Sequence, residues 1–467
     1  MRRSPPSVSP AFRRAAGALL GLLLGLAGGA TPAAGQAEVY LEVRKSEILR
    51  TPIMVEDFVV SGDDGMDALS PGLMAGGLRA EDLLAYDLLY ADAFAVVRSA
   101  AGDTAAGLRL DIQGHPVGLA LRARVEGRVA AREGAPWLEA ALIDEGSHQR
   151  VFQRSAPVAR VGLGTSCEPW EIHRLADEIT LYLTGVPGCA ATRIAFVRAS
   201  GGAKELALID WDGRNAETLT TLGSIVLSPA WDPGARRIAF TSFHRGPPQL
   251  SALHLDDGRL TTLWSGRTPS APAYTRDGTR LAFSATDAGD AEIYVARADG
   301  TEARRLTYHP GIDTAPSWAS SGERLVFTSD RTGRPELFLM DADGANLTQL
   351  TFGGEWNDSP DWSPRGDRIV YASMIDGRFE LALIRPDGTG EQRLTHGGGC
   401  ENPSWAPDGR HVVFARTLGG RRNLWILEVD SGSLRQLTGS PEQTYNPAWS
   451  PVTRERIRAT RGSSGSE

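Results

Sequence analysis

A ring of six four-stranded β-blades, preceded by a small α/β domain, is the fold this sequence predicts. Three observations predict it: a Pro-x-aromatic triplet that recurs along the C-terminal half, period-2 strand patterns between the triplets, and first and last units that are each incomplete. The triplets are Pro229-Ala230-Trp231, Pro272-Ala273-Tyr274, Pro316-Ser317-Trp318, Pro360-Asp361-Trp362, Pro403-Ser404-Trp405 and Pro447-Ala448-Trp449. Their aromatic residues fall 43, 44, 44, 43 and 44 positions apart. A fixed period of this length is the signature of a repeat architecture.

Each element of the repeat has a physical reason. An apolar run follows each of the first five triplets, as in Arg237-Ile238-Ala239-Phe240 and Arg324-Leu325-Val326-Phe327, and a sixth copy, Arg193-Ile194-Ala195-Phe196, precedes the first. An alternating run such as Glu336-Leu337-Phe338-Leu339-Met340 comes next, then a Gly-containing turn such as Asp343-Gly344, then a Leu-Thr strand such as Leu350-Thr351. Gly takes positive φ without steric cost, which suits tight turns between strands. Four short strands cannot bury both faces of one sheet. Radial packing around an axis solves this and leaves only short protected edges. The unit starting at Arg193 lacks its own triplet strand, and the triplet strand at 447–449 lacks partners after it. The last strand therefore completes the first blade, which removes the open edge.

Ahead of the repeat, residues 1–36 read as a secretory signal: Arg2, Arg3, Arg13 and Arg14, then an apolar stretch from Ala15 to Ala30, then small residues at Ala33, Ala34 and Gly35. The other reading, a membrane anchor, suffers from a stretch shorter than the roughly 20 residues a span needs. Residues 37–190 read as an α/β domain. Leu121, Ala123, Val125 and Val129 alternate with charged residues, 137–143 and 150–153 suggest paired strands, and helices are expected over 78–97 and 169–184. Residues 191–451 are expected to form the propeller, and 452–467 a polar, disordered tail. Cys167 and Cys189 flank the second helix; in an oxidising compartment they either bridge its ends or stand as two buried thiols. No His-Cys spacing suggests zinc, and no metal ligand set is expected. The formal charge of -8 argues against a nucleic-acid partner, which needs a basic surface.

The chain resembles the TolB family of the bacterial Tol-Pal system. The resemblance rests on Phe327-Thr328-Ser329-Asp330-Arg331 through Phe338, on the Trp-Ser-Pro and Trp-Ala-Pro steps, on the junction Ala176-Asp177-Glu178-Ile179 to Phe196, and on Arg50-Thr51-Pro52-Ile53. It implies a monomeric, non-catalytic periplasmic protein that touches membranes only through its partners. It further implies a propeller that binds Pal, a peptidoglycan-associated lipoprotein, an N-terminal end that engages TolA, an inner-membrane partner, and a role in outer-membrane integrity and division.

The triplet strand should lie innermost, so the residues just before each triplet should crowd one mouth of the axial channel. These are Pro269 and Ser270, Asp313 and Thr314, Asn357 and Asp358, Glu401 and Asn402, and Tyr445 and Asn446. They are the expected partner-binding residues, or else turn and strand-end caps. Asp313, Asp358 and Glu401 could together gather Ca²⁺ through oxygen ligands. The triplet tryptophans read as packing between blades. For the second partner the candidate is Glu38-Val39-Tyr40-Leu41-Glu42-Val43, an extended segment able to add to a partner's sheet, or an edge strand of its own domain. A propeller hydrolase and a propeller lectin or ligand sensor are the alternatives. The chain has no Gly-x-Ser-x-Gly elbow and no His-Glu-x-x-His.

Overall fold

The computed structural model describes residues 50–61, 80–91, 93–98, 109–110, 116–117, 121–132, 135–157, 159–161, 164–166, 169–287, 290–439 and 442–451. The signal segment, Glu38–Val43, Cys167 and the tail lie outside the described residues.

In the N-terminal domain, β1 (Thr51–Val55) runs parallel to both β3 (Phe94–Arg98) and β6 (Ala123–Arg132), and β2 (Val59–Ser61) runs parallel to β6. From β6 the sheet continues antiparallel through β7 (Ala135–Asp144) to β8 (Gln149–Pro157). Two short antiparallel pairs, β4 (Arg109–Leu110) with β5 (Pro116–Val117) and β9 (Ala159–Val161) with β10 (Gly164–Ser166), stand apart from it. Helices α1 (Ala80–Tyr90) and α2 (Pro169–Thr184) pack on each other. Gly127 of β6 lies flat under Phe58: a Cβ there would sit 2.3 Å from the ring. The second helix falls where the sequence pattern puts it. The first stops earlier than expected, because Phe94-Ala95-Val96-Val97 forms β3 instead. That run is aromatic and β-branched, and β1 offers it a hydrogen-bonding edge.

The repeat folds into six four-stranded sheets. Blades 2 to 6 each begin with their own triplet strand, at Val226–Trp231, Thr268–Tyr274, Asp313–Trp318, Trp356–Trp362 and Cys400–Trp405. Blade 1 joins Arg193–Ser200, Ala203–Asp210 and Glu217–Thr218 to the last strand, Gln443–Trp449. The closure is antiparallel, with Ile194 opposite Trp449 and Ala195 opposite Ala448. Beyond it, the Arg193 amide donates to Ser450 Oγ at 3.0 Å and the Ser450 amide to the Arg193 carbonyl at 2.8 Å. Gly300 shows why a turn needs glycine: it has φ +86°, and a Cβ would lie 2.0 Å from the Leu263 carbonyl of the neighbouring blade. One apolar cluster runs from Leu84, Leu88, Ile172 and Ile179 of the helices into Trp211, Val413, Ile426 and Trp449 of blades 1 and 6.

The channel mouth and the domain junction

The repeated residues explain one another. In each triplet strand the residue before Pro has a left-handed backbone: Ser228, Ala271, Ala315, Ser359, Asn402 and Asn446, with φ between 44° and 52°. The register with the second strand slips there, which makes a β-bulge. A non-glycine residue in this region is sparsely populated and costs on the order of 1 kcal/mol or more. The bulge turns these six residues toward the axis, and all of them line a channel of about 500 Å³.

The tryptophans stitch blade to blade. The indole N–H of Trp231 donates to the Ala448 carbonyl, that of Trp318 to Ala273 and that of Trp405 to Asp361, each at 3.0 Å and each across a blade boundary. The middle residue of the triplet works the same way. Ser317 Oγ accepts the Trp362 amide at 3.0 Å, Asp361 Oδ2 the Trp405 amide at 2.8 Å, and Ser404 Oγ the Trp449 amide at 3.1 Å. Burial raises the Asp361 carboxyl to about 6, and the Trp405 amide and Ser317 hydroxyl offset only part of that. The recurring Leu-Thr is equally structural. Thr307 Oγ1 accepts the Ile293 amide at 2.9 Å and donates to Glu292 at 2.6 Å, and Thr351 with Glu336 and Thr395 with Glu380 repeat the pattern. The buried glutamates are held by this network, as members of the blades.

Of the residues expected at the mouth, Ser270, Thr314, Asp358, Asn402 and Asn446 line the channel. Asp313 and Asn357 do not: both are fully buried. Asp313 accepts from Arg331 at 2.7 Å, and Asn357 donates to Glu336 at 2.8 Å. Strand alternation is the reason. The third position before Pro points between strands and blades in every unit, and only the next two can face the axis. Pro269 is buried for the same reason. Glu401 and Tyr445 turn aside, Glu401 to Arg422 at 2.7 Å and Tyr445 to Gln443 at 2.7 Å and beneath Lys204. The three acids expected to gather Ca²⁺ are therefore not gathered: two are paired with arginines, while Asp358 accepts from Thr328 at 3.0 Å.

The mouth also carries residues the sequence reading missed. Tyr308 and Phe352 are 75% and 70% exposed, and Ile312 and Trp356 are 50% and 42% exposed. All four sit in the segments that lead into the triplet strands of blades 4 and 5, at the end where those strands begin. The available signal was an aromatic directly after Leu-Thr, present in Leu306-Thr307-Tyr308 and Leu350-Thr351-Phe352 but absent from Leu394-Thr395-His396 and Leu437-Thr438-Gly439.

A second concentration of chemistry lies where the N-terminal helices meet blades 1 and 6. His173 Nδ1 is 2.7 Å from Asp87 Oδ2 and its Nε2 is 3.7 Å from Asp212. His411 Nδ1 is 2.6 Å from Asp408 Oδ2, and its Nε2 is 3.1 Å from the Tyr90 carbonyl. Burial works to lower His173, but the charge and hydrogen bond of Asp87, helped by Asp212, outweigh it and bring it to about 9. Burial likewise pulls on His411, and Asp408 reverses it, leaving it raised. Asp408 is held at about 2: burial raises it, but His411 and the amides of Arg410 and His411 prevail. Cys189 is a free, buried thiol 3.8 Å from His411 Nδ1. Its expected partner Cys167 lies outside the described residues. Cys189, Asp408 and His411 bring three metal-ligand types within 4.8 Å, and His173, Asp210 and Asp212 bring an imidazole and two carboxylates within the same distance. Sequence spacing concealed these sets. In the first, both His411 nitrogens already face hydrogen-bonding oxygens, which makes it a buried ion pair.

Fold and site together define a class: a six-bladed propeller scaffold with an appended α/β domain and exposed aromatics on the face where its triplet strands begin. The TolB beta propeller domain family matches residues 181–453. The Tol-Pal system protein TolB of Bordetella bronchiseptica is 32% identical over 329 residues, 66% of this chain and 68% of its own. That of Anaeromyxobacter dehalogenans is 42% identical over 141 residues, 30% of this chain and 32% of its own, so the chain spans about a third of that relative's length. The crystal structure of TolB from Acinetobacter baumannii superposes with a TM-score of 0.71 at 25% identity, covering 86% of this chain and 97% of that one. The chain belongs to the TolB family.

Proposed function

We propose that this chain is a non-catalytic docking component of the Tol-Pal envelope system in the periplasm. The propeller mouth receives a Pal-like peptidoglycan-associated lipoprotein. The N-terminal region engages a TolA-like inner-membrane partner, and the pair of contacts supports outer-membrane integrity and division. The observation that carries this reading is the exposure of Tyr308, Ile312, Phe352 and Trp356 on the face where the triplet strands of blades 4 and 5 begin. Large aromatic anchors next to polar groups are the usual composition of a protein interface centre. The relatives' name, Tol-Pal system protein, supports protein partners in general.

The test is affinity capture from detergent-solubilised envelope, comparing the unaltered chain with a Phe352→Ser, Trp356→Ser double variant. The expected result is retention of a lipoprotein by the unaltered chain and at least tenfold less by the variant. Equal recovery removes the mouth assignment.

A further inference from the structure

The six seams of the ring are not fastened alike. Five carry at least one bond from a triplet: Trp231 to Ala448 between blades 2 and 1, Trp318 to Ala273 between 4 and 3, Trp362 to Ser317 between 5 and 4, Trp405 to Asp361 between 6 and 5, and Trp449 to Ser404 between 1 and 6. The seam between blades 2 and 3 has neither kind. Across it the middle residue is Ala230, which has no side-chain acceptor for the next amide. The triplet aromatic there is Tyr274 in place of tryptophan, and its phenol oxygen is buried without a hydrogen-bond partner. A buried hydroxyl left unpaired costs free energy.

Blade 2 departs from the repeat at the same boundary. In the other five blades the threonine after leucine (Thr220, Thr307, Thr351, Thr395 or Thr438) accepts a backbone amide at 2.9 Å. In blade 2 that place is taken by Trp264. The turn glycines fix the correspondence: Gly300 lies against the Leu263 carbonyl as Gly344 lies against that of Leu306. Gln249 stands where blades 3 to 5 have the latched glutamate, and its buried amide nitrogen has no partner. What joins the blades instead is aromatic. Trp264 packs on Phe283 and Tyr294 of blade 3, with ring centres 4.8 Å and 5.7 Å away. Nearer the axis Thr241 Oγ1 donates across the seam to the Pro269 carbonyl, but at 3.4 Å. Hydrogen bonds hold a narrow range of distance and angle, whereas apolar contact is non-directional and keeps its strength through small displacements.

We propose that the ring gives at this one seam: blades 2 and 3 slide on the contact of Trp264 with Phe283 and Tyr294 and so change the bore of the channel, while the five fastened seams hold the other blades in place. This is shear, the small sliding of packed elements past one another. Ser228 of blade 2 and Ser270 of blade 3 line the channel on either side of the seam, so the sliding alters the channel wall directly. The device goes beyond the docking role and does not depend on it.

The experiment measures distances between nitroxide pairs by double electron–electron resonance in the full chain, with Cys167, Cys189 and Cys400 replaced by alanine and folding checked by circular dichroism. One pair is carried by Arg259→Cys and Ala345→Cys, on blades 2 and 4; the other by Thr301→Cys and Thr389→Cys, on blades 3 and 5. All four positions are exposed and equivalent, each accepting the same turn bond. Each pair spans two seams, but only the first spans the seam between blades 2 and 3. Its distance distribution should be at least twofold wider than that of the second. Tyr274→Trp, which supplies an indole N–H for the Ala230 carbonyl, should narrow it toward the second. Trp264→Thr with Gln249→Glu, which rebuilds the latch of the other blades, should do the same. Equal widths in the unaltered seam overturn the proposal. So does a first pair that stays as wide in whichever of these variants folds.

Discussion

The domain junction and the channel mouth both concentrate charged and aromatic side chains, yet they do opposite things with them. At the junction, Asp87, His173, Asp408 and His411 are buried and matched in pairs, and Arg435 lies over the rings of Tyr86, Tyr90 and Trp211. At the mouth, Tyr308 and Phe352 stand out in solvent. Chemically rich clusters are therefore not all sites. A buried cluster of ion pairs fixes one domain against another, whereas aromatic rings held in water mark a surface for a partner. The perturbed histidines belong to the first kind.

The contrast can be broken most forcefully at His411. His411→Ala leaves Asp408 buried without its cation and the Tyr90 carbonyl without its donor, and should cost about 3–5 kcal/mol in urea unfolding. A double His411→Ala, Asp408→Ala variant should recover part of that loss. If the single variant is as stable as the unaltered protein, the junction is not held by this pair. His173 sharpens the comparison by pH. A histidine held at about 9 against an ordinary 6.5 contributes stability that is complete below pH 6.5 and is lost as pH rises through 9. Urea midpoints should fall over that window, and His173→Gln should flatten the fall. The smallest expected effect is at the mouth. Phe352→Ser alone should change folding stability by no more than about 0.5 kcal/mol, because its side chain is 70% exposed. A large loss there would make Phe352 a part of the blades.

Much of the propeller was readable from the chain alone, because its repeats state the same instruction several times. The Pro-x-Trp strand, the Asp-Gly turn and the Leu-Thr strand recur, and the clasp at Arg193 and Trp449 comes from counting them. Single-copy features were harder. The helix expected to run to Val97 ends at Tyr90, since strand pairing with β1 claims Phe94–Arg98. The mouth was half legible. Naming two adjacent residues per strand ignored alternation, which sends Asp313 and Asn357 inward. The junction was not legible at all, because Cys189 and His411 are 222 residues apart in sequence.

The first blade draws one of its strands from the far end of the chain. A nascent polypeptide therefore has no finished ring until Gln443–Trp449 arrives, and until then Arg193–Ser200 offers a bare row of amides and carbonyls. A chain cut short anywhere before that point leaves this flank permanently sticky and the neighbouring tryptophans uncovered. The last seven-residue strand thus works as a length check: only full-size copies can hide their adhesive border, and abbreviated ones stay open to proteases and aggregation.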